Sequence, residues 1–264
     1  MFRRAFRVIT LALAAALAVA SAQGTFGHIA YGDGWQTTFL IVNQDTTTTA
    51  EVNLYFYSDS GAALALPVNG GPAASPYSVS IPPGGSASII LPDVGGTTAN
   101  EGWASLQVTN NVAVSGQAIF RQDLGGSNPT LEAAVPFTGG QPVCILSLWN
   151  VEPTHYILVP FDNTTGVHVT ALAFANTTSA AISAPIEFDD QTGTAIVTDT
   201  LTLAAMNHTA FVTADADRYP ATAGKSGVLR ITLPSGANAG DLAVLALLAN
   251  SVSGTLTTLL PVTQ

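Results

Sequence analysis

Apolar and polar residues alternate along short runs, and the runs come in an order that is used twice. Phe39 to Leu64 reads as a strand, a turn led by Asn43, a second strand through Phe56 and a turn at Gly61. Leu172 to Ile196 repeats that pattern with Asn176, Phe188 and Gly193 in the same roles. The correspondence continues along the chain. Ile81-Pro82-Pro83-Gly84-Gly85 answers Leu203-Ala204-Ala205-Met206-Asn207, and Glu101 to Ala104 answers Ser226 to Leu229. Ala118-Ile119-Phe120 then answers Ala246-Leu247-Leu248, and Ala134-Val135-Pro136 answers Leu259-Leu260-Pro261. Blocks kept in one order mark a duplication. The first copy carries an extra stretch, 67–77, rich in Pro, Gly and Ser, which predicts a surface loop.

Closely spaced apolar runs punctuated by Gly, Pro, Asn and Asp predict an all-β sandwich or barrel. Asp241 to Asn250 has the Leu and Ala of a helix. Together with its counterpart, Gly116 to Gln122, it reads as a strand buried on two faces, a short helix being the alternative. The last stretch, Gly254 to Gln264, has no charge and so lacks the usual protection of an edge strand.

Because side chains alternate across a strand, comparing the copies assigns the faces. Phe39 and Ile41 match Leu172 and Phe174; Val52, Leu54 and Phe56 match Ala184, Ile186 and Phe188; Ala104, Leu106 and Val108 match Leu229, Ile231 and Leu233. These are the core faces. Tyr55, Tyr57 and Trp103 fall on the opposite parity, where the second copy has Glu187, Asp189 and Val228. The first copy alone therefore carries an aromatic outer surface. Such a surface is either a platform for a sugar ring or partner protein, or an interface packed against the second copy, the 67–77 loop or another molecule.

Composition changes this picture at the amino terminus. Arg3, Arg4 and Arg7, an apolar stretch from Val8 to Ala20 and Ala20-Ser21-Ala22 form a signal-peptide pattern with cleavage expected after Ala22. The stretch is short for a membrane span, so none is expected in the mature chain. Seven basic and seventeen acidic residues give a formal charge of −10. Removing the three leader arginines leaves four basic against seventeen acidic residues, or −13. That balance argues against nucleic acid as a partner. Cys144 is the one cysteine, which rules out an intramolecular disulfide; its apolar surroundings predict a small buried hydrophobe. The expected organisation is a signal peptide (1–22), a β-sandwich (23–138), a linker or insertion (139–153) and a second β-sandwich (154–264).

No motif points to catalysis or a cofactor. His28, His155, His168 and His208 are scattered singly, none at metal-ligand spacing from another. No G-x-S-x-G occurs, and Glu101, Glu132 and Glu187 have no partner that marks a glycosidase pair. Asp189-Asp190 and Asp215-Ala216-Asp217 place acids close together but match no calcium loop and read as solvated turns.

Several strings carry a family resemblance: His28 to Phe39 (HIAYGDGWQTTF), Ala118 to Gln122, Val135-Pro136 and Pro160 to Thr164. Over nearly all of the mature chain these resemble a group of secreted bacterial proteins built from paired immunoglobulin-like sandwiches. Gln141 to Pro153 looks like an insertion relative to that pattern. The resemblance implies an all-β fold of tandem immunoglobulin-like β-sandwiches and export, and it implies no activity. The expected function is a non-catalytic extracellular or cell-surface interaction module that binds polysaccharide or protein, through Tyr55, Tyr57 and Trp103 if the outer face is open. The alternative is a self-associating component of a surface layer or matrix, with a secreted hydrolase a more distant third. No metal or cofactor is expected.

Overall fold

The alternating runs become strands in the computed structural model, which describes residues 23–123, 125, 130–139, 156–238 and 240–263. The expected leader (1–22), Cys144 and all but the first residue of the 139–153 segment lie outside the described residues. The first half contains β1 (Gln23–Tyr31), β2 (Trp35–Asn43), β3 (Ala50–Ser58), β4 (Ala63–Leu64), β5 (Tyr77–Ile81), β6 (Ser86–Leu91), β7 (Asn100–Val108), β8 (Val114–Gln122) and β9 (Leu131–Gly139). The second contains β10 (Tyr156–Asp162), β11 (His168–Asn176), β12 (Ile182–Asp190), β13 (Ala195–Leu203), β14 (His208–Val212), β15 (Ser226–Thr232), β16 (Leu242–Asn250), β17 (Thr255–Leu259) and β18 (Val262–Thr263). Among the described residues the only helical turns are short 3-10 turns at Val68–Gly70 and Pro220–Thr222. The fold is all-β and sandwich-like.

The two halves share much of their strand order. The first half runs β4-β3-β7-β1-β9-β8-β2-β6, with β5 also paired to β3. Its β9 joins the two layers, pairing with β8 from Leu131 to Pro136 and with β1 from Phe137 to Gly139. The second half runs β13-β12-β15-β10-β18 in one sheet and β14-β11-β16-β17 in the other. The strands correspond in order with two exceptions: β4 and β5, both paired to β3, stand where the second half has β13 alone on β12, and β9 is represented by β17 and β18, divided at Leu260-Pro261.

Equivalent residues hold equivalent positions for the same physical reasons. All the core-face residues compared above are buried, Phe39, Phe56, Phe174 and Phe188 completely. Asn43 and Asn176 are buried too. Asn43 Nδ2 donates to Thr48 O, Ile81 O and Pro82 O, and Asn176 Nδ2 donates to Ala180 O, Leu203 O and Ala204 O. Each side chain thus satisfies backbone carbonyls where the chain crosses between layers. Gly102 and Gly227 also correspond. A Cβ on Gly102 would lie 2.0 Å from Tyr57 O, and one on Gly227 would lie 1.9 Å from Asp189 O. Both strands approach their neighbour too closely for a side chain.

Three expectations need correction. The 67–77 stretch is not merely a surface loop: Val68 is buried in the first core, and Asn69 Oδ1 accepts from Ile90 N on β6. The insertion therefore plugs the core and covers an edge strand. Burial on both faces holds for β16 but not for its counterpart β8, where Gln117 and Arg121 are exposed. On β16, Leu242, Val244 and Ala246 face the second core, while Ala243 and Leu245 pack with residues of the first half. The edge of β17 is also covered, because Leu256 packs on the first core and Thr258 Oγ1 donates to Ala134 O on β9.

Candidate functional site

The aromatic residues expected on the outer face lead to the contact between the halves. Trp103 lies off the core parity of β7, yet only 1% of it is exposed. Its ring stacks on Tyr57 with centroids 4.4 Å apart and packs with Ala175, Ala243 and Met206, and its Nε1 donates to Met206 O at 2.8 Å. Met206 holds this position with φ +61, where the first copy has Gly84 at φ +63. A left-handed methionine is an uncommon conformation, and here it presents its carbonyl to the indole. Tyr57 and Tyr55 are half-buried, and the Tyr55 hydroxyl donates to Gln107 Oε1. Trp103 is thus withdrawn from any open platform, because a large apolar ring on an outer face gains most when the second half covers it.

Beside this contact β1 carries a β-bulge. Its pairing with β7 shifts register between Phe26 and Ile29, so Gly27 and His28 together stand opposite Trp103. Bulges re-aim side chains. Phe26 and Ile29 both stay in the core, while Gly27 and His28 are freed to meet the second half. A Cβ on Gly27 would lie 3.2 Å from the Ala243 Cβ, and the His28 ring turns toward His208 at the start of β14.

A chain of polar groups results. Asp59, exposed in the turn after β3, accepts His208 N at 3.0 Å through its carbonyl, and its Oδ1 lies 2.8 Å from His208 Nδ1. His208 Nε2 lies 3.2 Å from His28 Nδ1. Both rings are buried. Burial lowers the His28 pKa to about 3, the neighbouring His208 adding to the effect and Asp59 opposing it. The hydrogen bond from His208 holds the Asp59 carboxyl below its ordinary value despite partial burial.

His28 also lines a half-open cleft of about 320 Å³ between the halves. Trp35, Phe120 and Leu131 contribute one wall, and Ala171, Phe211 and Leu247 contribute the other. The His28 ring meets Phe120 edge-on at 5.6 Å, and Phe120 in turn lies 5.4 Å from Trp35. Glu101 stands at the rim, where burial raises its carboxyl pKa, His208 opposing and Asp59 adding. Among the described lining residues the polar side chains are those of His28, Glu101 and Trp35, and no hydroxyl or thiol is present.

The acidic pairs serve other ends. Asp189 Oδ2 accepts from Arg230, which also donates to Glu187, while Asp189 Oδ1 is a buried oxygen without a hydrogen-bond partner among the described residues. Asp190 Oδ1 accepts from the backbone of Thr192 and Thr194 in its own turn. Among the described residues no three His, Cys, Asp or Glu side chains converge on a metal position.

Sequence reasoning missed the His28–His208 pair because the two residues are 180 positions apart. One signal was available: on β11 and β16 the outer parity is filled by Ala171, Ala173, Ala175, Ala243, Leu245 and Leu247 instead of polar residues, which marks a face that something covers. Compared with known proteins, the chain matches no family model and no curated protein.

Proposed function

We propose that the protein is an exported, non-catalytic binding module of paired immunoglobulin-like sandwiches, and that the cleft between its halves is the ligand site. The observation that carries this reading is the cleft itself: an apolar space of about 320 Å³ with one buried imidazole on its wall. That is the size and character of a small-molecule site, mainly apolar walls with a few polar groups, the buried imidazole among them, to fix orientation. The tripartite leader and the acidic, cysteine-poor mature chain support export to the cell exterior.

The Asp59–His208–His28 chain has the outline of a relay that primes a base, but two features favour binding over catalysis. A His28 pKa of about 3 makes the ring a weak base at neutral pH. The described lining also offers no hydroxyl or thiol for a base to activate.

Thermal-shift measurements against a panel of small apolar molecules test the reading. Compounds that occupy the cleft at about a hundred times their Kd should stabilise the protein by about 2.7 kcal/mol. The cleft-filling variants Ala171→Leu and Ala210→Leu should lose the response while remaining folded. Shifts that persist unchanged in both variants, or no shift with any compound, would remove the cleft as the ligand site.

A further inference from the structure

The hydrogen-bond chain behind the cleft determines what its buried imidazole can offer a ligand. Asp59 as a carboxylate can only accept, so the contact at 2.8 Å requires the hydrogen on His208 Nδ1. Where that is the only ring hydrogen on His208, the form of an imidazole well above its ordinary titration range, as at pH 8, its Nε2 is a lone pair. The contact from that atom to His28 Nδ1, at 3.2 Å, therefore requires the hydrogen on His28 Nδ1. Neutral His28 is left with a bare Nε2, an acceptor. The tautomers are assigned from this network, and a second-half residue and a turn of the first half together impose them.

Only 8% of His28 is exposed, and its hydrogen bond to His208 engages Nδ1 and not Nε2. The ring forms part of the cleft wall. An occupant that displaces water there without offering a hydrogen leaves a desolvated acceptor unpaired, which is unfavourable. Charge is selected against as well. The Glu101 carboxylate at the rim repels anions, and the burial that keeps His28 neutral disfavours a cation at the same place.

We propose that the cleft takes a small, uncharged, mainly apolar molecule bearing one O–H or N–H donor, and that His28 Nε2 receives that hydrogen. This inference rests on the cleft being the ligand site. An aromatic alcohol is the simplest member of the class, its ring lying between Phe120, Trp35 and Phe211.

A matched pair of probes tests it: 2-naphthol, which has the donor, and 2-methoxynaphthalene, which has the same ring system and oxygen but no donor. Titration calorimetry on the whole protein at pH 8 should show 2-naphthol binding roughly three- to tenfold more tightly, the ratio expected for one net hydrogen bond. In His28→Phe that preference should vanish while both probes still bind. An independent readout needs no variant: nitrogen-detected imidazole spectra of the wild type should show a protonated Nδ1 and a bare Nε2 on His28, with the Nε2 signal moved by 2-naphthol and not by its methyl ether. Equal affinities in the wild type, or a protonated Nε2 on His28 at pH 8, would overturn the donor requirement and leave the cleft as a binding site. Failure of both probes to bind would overturn the cleft reading and this inference with it.

Discussion

Replacing Trp103 by alanine is expected to lower the unfolding free energy by about 3–5 kcal/mol, the range for truncating a large buried aromatic. The indole is 1% exposed, stacks on Tyr57 and fills the contact formed with Ala175, Ala243 and Met206. Truncation would leave a void in that contact and would also strip Met206 O of its hydrogen bond from Nε1. Tyr55→Ser offers the contrast. Its ring is half-buried and its hydroxyl makes one long contact to Gln107, at 3.3 Å, so its loss should be about 1 kcal/mol. Urea unfolding of the two variants measures both. A loss near zero for Trp103→Ala would mean that the ring stands in solvent and that the halves do not meet as described.

Phe56→Ala and Phe188→Ala should each remove about 3–5 kcal/mol as well. The two residues occupy the same place in the two copies, and both are completely buried. Their surroundings differ in detail. Phe56 lies 6.0 Å from Phe39, whereas Phe188 packs edge-on to Phe161 at 5.4 Å and beside Tyr219 at 4.9 Å. The aromatic cage around Phe188 places its loss at the upper end of the range, since the rigid rings around it cannot collapse into the space. Equilibrium unfolding of each variant checks the pair, and a loss of less than about 1 kcal/mol in either would break the equivalence of the copies.

What the sequence reveals is what depends on local alternation. The parity of β2, β3, β7 and their counterparts follows from neighbours two positions apart, and the buried Asn43 and Asn176 announce themselves as shared punctuation between strands. Trp103 shows where such reasoning stops. Its parity places it on the outer face of β7, and nothing within its own strand says that Met206 and Ala243 will cover it. The same holds for the site. Neither His28 nor His208 is remarkable alone. They become a pair because a bulge at Gly27 and His28 shifts one strand by a residue, and because the Ala-rich face of β11 and β16 comes close enough to bury both rings. Bulges and interfaces are set by contacts distant in sequence, so the shared order of strands was legible and the cleft between the halves was not.

The most direct test of the cleft as the ligand site uses its own tryptophan. Trp35 lines the cleft, whereas Trp103 lies in the packed contact beside it, with its indole N–H donated to Met206 O. In a proton–nitrogen correlation spectrum followed during titration with 2-naphthol, the account predicts a saturable shift of the Trp35 indole signal and little change at Trp103. A saturable shift at Trp103 with Trp35 unmoved would place the ligand on the aromatic face and contradict the account.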